Sequence, residues 1–137
     1  VRLRKDLAKL VALERVSRVA TVGRDGQPHV VPVCHVVADG RLYFATGRDS
    51  LKVRHLRARP NLALIVDVYA EDWRLLKGVL IQGSAALIER GPRFRKIRDL
   101  LYRKYTQYPG ESAIGERDSV MVEITPRHVT SWGFGER

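Results

Sequence analysis

The chain has 137 residues, of which 45% are hydrophobic and 29% charged, so it fits one globular domain and is not a disordered or low-complexity chain. Its formal net charge of +10 predicts affinity for anions. The basic residues are spread along the sequence, however, and aromatic residues make up only 7%. A basic nucleic-acid-binding barrel is therefore only an alternative. Cys34 is the sole cysteine, so we expect a buried, inert thiol, no disulfide and no metal site. No apolar run approaches about 18 residues, so we expect no membrane span. We therefore expect one soluble, cytoplasmic domain over 1–137.

The first part of the sequence predicts a helix followed by an antiparallel meander. Apolar residues recur at helical intervals over 2–16 with charged residues opposite them, which is typical of an amphipathic helix. Two Asp-Gly pairs then mark hairpin turns between strand-like segments. These three segments lie at 18–23, 28–38 and 41–46.

The rest of the sequence predicts further strands and two more helices. A short helix over 50–57 ends before Pro60, and Gly91-Pro92 begins another helix with an apolar stripe. Residues 107–118 are predicted to form a loop. The remaining strand-like segments lie at 61–69, 77–89, 119–125 and 127–134. About seven strands joined mostly by hairpins, with three peripheral helices, predict a mainly β (α+β) fold, an antiparallel closed or split β-barrel.

The stretch ATGRDSLKVRHLR, residues 45–57, runs from a strand end into a helix that begins at Asp49 or Ser50. A helix N-terminus offers free backbone N–H groups, to which Ser50, Lys52 and nearby arginines would add donors for a phosphate. The same residues also fit a capped helix with solvated basic side chains. Taken alone, the stretch favours that simpler interpretation.

Motifs of several enzyme classes are absent from the sequence. It contains no glycine-rich dinucleotide fingerprint, no phosphate-binding loop and no Gly-x-Ser-x-Gly elbow. His29 and His35 are expected to share one face of a strand, where they either line a pocket or bond to backbone groups. The residues themselves identify no catalytic group.

Three stretches in the same order resemble the flavin-binding family related to pyridoxamine 5'-phosphate oxidase. They are ATVGRDGQPHVVPV, DGRLYFATGRDSLKVRHLRARPNLALIVD and GVLIQGSAALIE, and the terminal ITPRHVTSWGF is similar to the family's closing strand. The resemblance implies a split β-barrel homodimer with cofactor at the subunit interface. It also implies an FMN-dependent oxidoreductase that transfers hydride to or from a small molecule.

The resemblance further implies a set of cofactor-binding positions. Those nearest the ring are His29, Val31, Pro32 and Val33, with Ala45 and Thr46 beside the ring or its ribityl chain. Ser50 and Lys52 match the phosphate-binding positions, with Arg48 as an addition. Gln82 and Gly83 match a strand that approaches the cofactor. Trp132 matches an aromatic residue near the partner subunit's flavin, and equally fits a tryptophan of the core or the dimer seam.

Two segments indicate which branch of this family the chain resembles. WGFGER does not reproduce the Arg- and His-containing segment that holds pyridoxamine phosphate, which argues against oxidation of that substrate. VDVYAEDW followed by LLKGV is similar to the small branch that includes enzymes using the deazaflavin coenzyme F420, which carries a phosphate and a polyglutamate tail. FMN therefore ranks first and coenzyme F420 is the alternative, with a non-catalytic flavin-binding protein as a further one.

Overall fold

The computed structural model describes residues 2–135. Its strands are β1 (Ser17–Val22), β2 (Pro28–Val33), β3 (Val36–Ala38), β4 (Arg41–Gly47), β5 (Asn61–Val68), β6 (Lys77–Ile88) and β7 (Ser119–Trp132). Its helices are α1 (Lys5–Leu13), α2 (Leu51–Ala58), α3 (Pro92–Lys104) and the short α4 (Tyr108–Glu111), with a 3-10 turn at Trp73–Leu75. Over the described residues, every helix is too short or too polar to cross a bilayer.

The seven strands form one antiparallel sheet in the order β2-β1-β5-β6-β7-β4-β3. The two edge strands, β2 and β3, are consecutive in the chain and are separated only by Cys34 and His35. One extended segment therefore pairs with β1 through its first half and with β4 through its second. The sheet must curl until its two edges meet at this segment, which confirms the predicted antiparallel split barrel.

Two predicted strand boundaries are wrong, and the errors cancel in the count of seven. The segment 28–38 is broken at Cys34 and His35, whereas 119–125 and 127–134 form the single strand β7. β7 continues through Pro126 because the proline lies at a register shift opposite Gln82 and Gly83. A proline, which has no N–H to donate, is tolerated at such a bulge.

The other local predictions also need adjustment. The first helix is shorter than the predicted 2–16, and α4 lies within the predicted loop 107–118. The prediction that Cys34 is buried is wrong, because its side chain is only partly covered. Ser50 caps α2 as predicted.

Side chains from distant parts of the chain satisfy the backbone at the break between β2 and β3. The His35 N–H donates to the Tyr105 hydroxyl at 3.0 Å, and the Lys104 ammonium donates to the His35 carbonyl at 2.9 Å. Lys104 also donates to the Glu14 carbonyl at 2.8 Å, after the end of α1. These bonds replace ladder partners that the broken strand has lost.

The His35 side chain fixes the same junction from the inside. Its ring is fully buried, and Nε2 donates to the Val11 carbonyl at 2.6 Å. Nε2 must carry the proton because a carbonyl can only accept. Burial lowers the pKa of His35 to about 4, so the ring is neutral at physiological pH.

Apolar side chains pack in two clusters, one on each side of the curled sheet. The first fills the barrel interior and includes Val19, Phe44, Leu64, Ile81 and Ile124. The second joins α3 to β3 and β4 and includes Tyr43, Phe94, Ile97 and Leu101. Both α1 and α3 pack against β3, which begins just after the break between β2 and β3. Close packing holds the backbone on this side of the break rigid.

Candidate functional site

A cleft of about 370 Å³ opens where β2 diverges from β4. In the β3–β4 register Val36 lies opposite Tyr43, and its continuation would place Cys34 opposite Ala45. β2 pairs with β1 instead, so beyond this point β4 has a ladder partner only on its β7 side. Free backbone groups beside an apolar strand suit a flat heterocycle that needs both a face and hydrogen-bonding partners.

The cleft, called here the split cleft, brings together five of the predicted cofactor positions. It is lined by Val16, Pro32, Val33, Cys34, Ala45, Thr46, Lys52 and Tyr108. Pro32, Val33, Ala45, Thr46 and Lys52 are the predicted ones. The strand-to-helix stretch and the strand HVVPV therefore face each other across a single opening.

Ser50 organises the polar end of the split cleft. Its Oγ accepts from the Val53 N–H at 3.3 Å and from the Thr46 hydroxyl at 3.1 Å. Both bonds use the oxygen as acceptor, so the Ser50 hydroxyl still has its own proton to donate. The first turn of α2 thus presents a hydroxyl and backbone N–H groups at the same end.

Lys52 is the cation of this end. The Lys52 side chain is half-buried, and its ammonium makes no hydrogen bond or ion pair with any residue of 2–135. Burial lowers the pKa of Lys52. A partly desolvated ammonium without a counter-ion is unfavourable, and a bound phosphate would relieve that cost and restore the pKa.

Arg48 has a different set of partners. Its guanidinium pairs with Glu89 and donates to the backbone carbonyls of Glu116 at 2.8 Å and Arg117 at 3.1 Å. These bonds tie the start of α2 to the end of β6 and to the loop before β7. We therefore leave Arg48 out of the proposed phosphate site.

Two other predicted ring positions point into the barrel. Val31 packs against the interior cluster. The His29 ring lies edge-on to His55 at a centroid distance of 5.9 Å, and His55 in turn contacts the Thr21 hydroxyl at 3.0 Å. Only the backbone of this part of β2 is available to a ligand in the split cleft.

Gln82, Gly83 and Trp132 lie elsewhere in the same chain. Gln82 and Gly83 line a separate groove of about 500 Å³. β6 is three strand spacings from β2, roughly 14 Å at about 4.8 Å each. The Trp132 ring covers Gly78, where an added Cβ would come within 2.2 Å of Cζ2.

Three residues of the split cleft were not predicted: Val16, Cys34 and Tyr108. Their sequence surroundings carry no cofactor-binding pattern. The difference between the β1–β2 and β3–β4 registers identifies Cys34, and it becomes visible only once the strands are paired. Val16 and Tyr108 lie outside the strands, and only the tertiary structure brings them to the cleft.

A second opening, called here the basic groove, lies on the neighbouring face of α2. It has a volume of about 470 Å³ and is lined by Gly23, Arg24, Asp25, Leu51, Arg54, His55, Arg57 and Ala58. Arg57 pairs with Glu89 at 3.4 Å, whereas Arg24 and Arg54 have no ionic partner within residues 2–135. Leu51 and Lys52 are adjacent in the first turn of α2, so the basic groove begins beside the polar end of the split cleft.

Over residues 2–135, no group of three His, Cys, Asp or Glu side chains is arranged to hold a metal ion.

Comparisons with known proteins agree with this fold. The sequence matches the family described as pyridoxamine 5'-phosphate oxidase over residues 3–133. It is 31% identical over 122 residues to the 5a,11a-dehydrotetracycline/5a,11a-dehydrooxytetracycline reductase of Streptomyces rimosus subsp. rimosus, covering 85% of this chain and 73% of that protein.

Solved structures give the same result for the fold. A conserved hypothetical protein from Mycobacterium tuberculosis superposes with a TM-score of 0.84 at 26% identity, covering 96% of this chain and 85% of that one. An F420 reductase superposes with a TM-score of 0.75 at 18% identity, covering 93% and 98%, a likeness in fold alone.

Proposed function

Because the chain belongs to the pyridoxamine 5'-phosphate oxidase family, we propose that it is a reductase that binds coenzyme F420 in preference to FMN and acts on a small molecule with a carbon–carbon double bond conjugated to a carbonyl. The half-buried, unpaired Lys52 in the split cleft carries the proposal, because it calls for an anionic group where an apolar strand with free backbone groups can hold a ring. When bound, the reduced cofactor supplies the hydride.

The proposed assignments within the split cleft follow from the chemistry of its two ends. Ser50 and Lys52 would hold the cofactor phosphate through charge-assisted hydrogen bonds. Pro32, Val33 and Ala45 would lie along the ring, and Thr46 would keep the Ser50 hydroxyl in place through its 3.1 Å bond. The reductase class is supported by the similarity to a dehydrotetracycline reductase, and this reverses the order in which FMN ranked first.

The preference for coenzyme F420 rests on the basic groove. FMN ends at its phosphate, whereas coenzyme F420 continues beyond the phosphate into an acidic polyglutamate tail. Arg24 and Arg54 line this groove and have no ionic partner within residues 2–135, so they offer the tail positive charge. Among the described residues, Asp25 is the one acidic residue that lines the groove.

Titration of the purified apoprotein with both cofactors tests this proposal. We expect coenzyme F420 to bind more tightly than FMN, and Arg54→Ala to weaken coenzyme F420 about 1.5- to 5-fold while leaving FMN unchanged, because an exposed ion pair contributes roughly 0.2–1 kcal/mol. Fluorescence of the bound cofactor gives both affinities. Arg59→Ala is the matched control, since it removes the same charge just after α2 but outside the basic groove. Tighter binding of FMN would refute the cofactor preference, and binding of neither cofactor would refute the function.

The proposal includes a homodimer with the cofactor at the interface. The outward face of β2 is apolar, with Val30 64% exposed beside Pro32 and, on β1, Ala20. On the same face of β1, Arg18 lies opposite Pro32 and pairs with Asp67 at 3.6 Å. Gln82 continues this face on β6, across strands β1 and β5. Gln82 can contact a cofactor only if a second subunit packs its own split cleft against this face, as the family resemblance implies.

Substituting Val30 with arginine is expected to dissociate this dimer. An unpaired charge in an apolar interface should raise the dimer dissociation constant by at least about 30-fold, measured by sedimentation velocity over a concentration series. Leu13→Arg is the control, because Leu13 is equally exposed at 65% but lies at the end of α1. A wild-type protein that is monomeric at all concentrations, or a Val30→Arg protein that dimerises normally, would contradict the proposed interface.

A further inference from the structure

The proposed reduction requires a hydrogen-bond donor that the phosphate site does not supply. Delivery of hydride to a double bond conjugated with a carbonyl leaves negative charge on the carbonyl oxygen. Reaction is fast only where a donor faces that oxygen and a proton can reach it. The inference below rests on the proposed function and concerns this donor.

Four side chains that line the split cleft carry a hydrogen they can donate: Cys34, Thr46, Lys52 and Tyr108. The Thr46 hydroxyl already donates to Ser50 Oγ at 3.1 Å, and Lys52 lies with Ser50 at the phosphate end. Cys34 and Tyr108 remain. Cys34 follows the end of β2 and Tyr108 begins α4, so neither belongs to the strand-to-helix stretch that carries the phosphate site.

Neighbouring aromatic rings hold Tyr108 in place. Its ring lies edge-on to Tyr105 at a centroid distance of 5.9 Å and is tilted against Tyr102 at 6.2 Å. Its backbone N–H donates to the Tyr105 carbonyl at 3.1 Å. The ring therefore has few alternative orientations, and both Tyr108 and Cys34 line the split cleft.

The surroundings keep the Tyr108 hydroxyl in its protonated form. Burial, together with the neighbouring Cys34 thiol, raises the pKa of Tyr108. The hydroxyl is thus a donor over the whole physiological pH range. A group that is always protonated and faces an apolar cleft has the properties needed to bind a developing oxyanion.

We propose that Tyr108 is a catalytic residue that donates a hydrogen bond from its hydroxyl to the carbonyl oxygen of the substrate. As the hydride forms the new C–H bond at the β-carbon, the π electrons of the double bond move towards oxygen, and the Tyr108 hydroxyl stabilises the resulting enolate. Water then gives a proton to the α-carbon and leaves as hydroxide, so the substrate gains one hydride and one proton in all.

Tyr108→Phe tests the role, because it removes the hydroxyl and keeps the ring that packs against Tyr105. The first readout is binding of 4-nitrophenolate, a planar anion that mimics the enolate, to the cofactor-loaded protein by difference absorbance. We expect its affinity to fall at least about 10-fold, as for loss of a hydrogen bond to a charged group. The second is reduction of cyclohex-2-enone, for which we expect kcat to fall about 100-fold, as for loss of one donor to a developing oxyanion.

Tyr102→Phe is the matched control. The Tyr102 hydroxyl accepts from the Ile114 N–H at 2.9 Å and does not line the split cleft, so neither readout should change. Cofactor affinity should be the same in the wild type and both variants, which shows that the fold and the phosphate site are intact. A wild-type protein that takes up cofactor but does not bind 4-nitrophenolate, or a Tyr108→Phe protein that binds it equally well, would overturn the role of Tyr108. A wild-type protein that takes up neither cofactor would instead overturn the proposed function.

Discussion

Substituting Lys52 with methionine is expected to weaken binding of both coenzyme F420 and FMN by about 10- to 100-fold. Among residues 2–135, Lys52 is the only cation that lines the split cleft, and a hydrogen bond to a charged group contributes about 1.5–3 kcal/mol. Methionine keeps the unbranched side chain in its apolar surroundings. Since the wild-type ammonium is partly desolvated and unpaired within residues 2–135, the thermal stability of the free protein should stay the same or rise.

The pH dependence of binding adds a second test of Lys52. Burial lowers its pKa in the free protein, so the wild-type side chain loses its proton at lower pH than an ordinary lysine does. Wild-type affinity should therefore decline earlier in the alkaline range than an unperturbed lysine would allow, and the Lys52→Met protein should lack this decline. Lys9→Met is the control, because it removes a lysine charge on the exposed side of α1. Equal cofactor affinity in Lys52→Met and wild type would exclude Lys52 as the phosphate ligand.

Replacing Gly83 with alanine is expected to lower the free energy of unfolding by about 1–3 kcal/mol, the usual cost of overpacking. An added Cβ would lie 2.3 Å from the Thr125 carbonyl oxygen and 3.1 Å from its carbon. Both atoms belong to the backbone of β7, which is held by its pairing with β6 and cannot move aside as a flexible side chain would. Urea denaturation measures the loss.

This substitution also separates two explanations for Gly83. The family resemblance places Gly83 beside the cofactor, whereas the packing makes it a requirement of the bulge between β6 and β7. If the packing decides, cofactor affinity per folded molecule stays unchanged while stability falls. Gly115→Ala serves as the control, because a Cβ at Gly115 meets no atom within 4 Å. A Gly83→Ala protein of wild-type stability that binds cofactor poorly would favour the first explanation.

Local signals in the sequence were enough to predict much of the fold. The Asp-Gly turns and the alternating apolar residues located the hairpins, and the helix cap was narrowed to Asp49 or Ser50, of which Ser50 is the cap in the structure. The family resemblance then added the split barrel, which strand patterns alone left open between closed and split forms. That prediction is confirmed by the sheet order.

The errors occur where distant residues decide the local structure. The sequence of 28–38 predicts one strand, but Lys104 and Tyr105 stabilise a break at His35. Because these two residues lie about 70 positions further along the chain, no local pattern could predict the break. The assignment of Arg48 to a phosphate site stays a prediction, but its pairing with Glu89, just after β6, was likewise hidden from the motif. A motif gives residue types and spacing, and the pairing of strands determines which partners those residues meet.

The position of β7 in the sheet has a consequence for how the protein is made. The last strand of the chain lies between β6 and β4, and it pairs residues 42–47 with residues 119–124. While a ribosome is still synthesising residues 119–132, β4 lacks a neighbour on one side and β6 presents a long open edge that can pair with other chains. Joining partners so far apart in sequence is slow, because the entropy of a long loop must be lost before the contacts form. The barrel therefore closes only after residues 119–132 have emerged, and the cleft between β2 and β4 takes shape after the strands β1 to β6 have been synthesised.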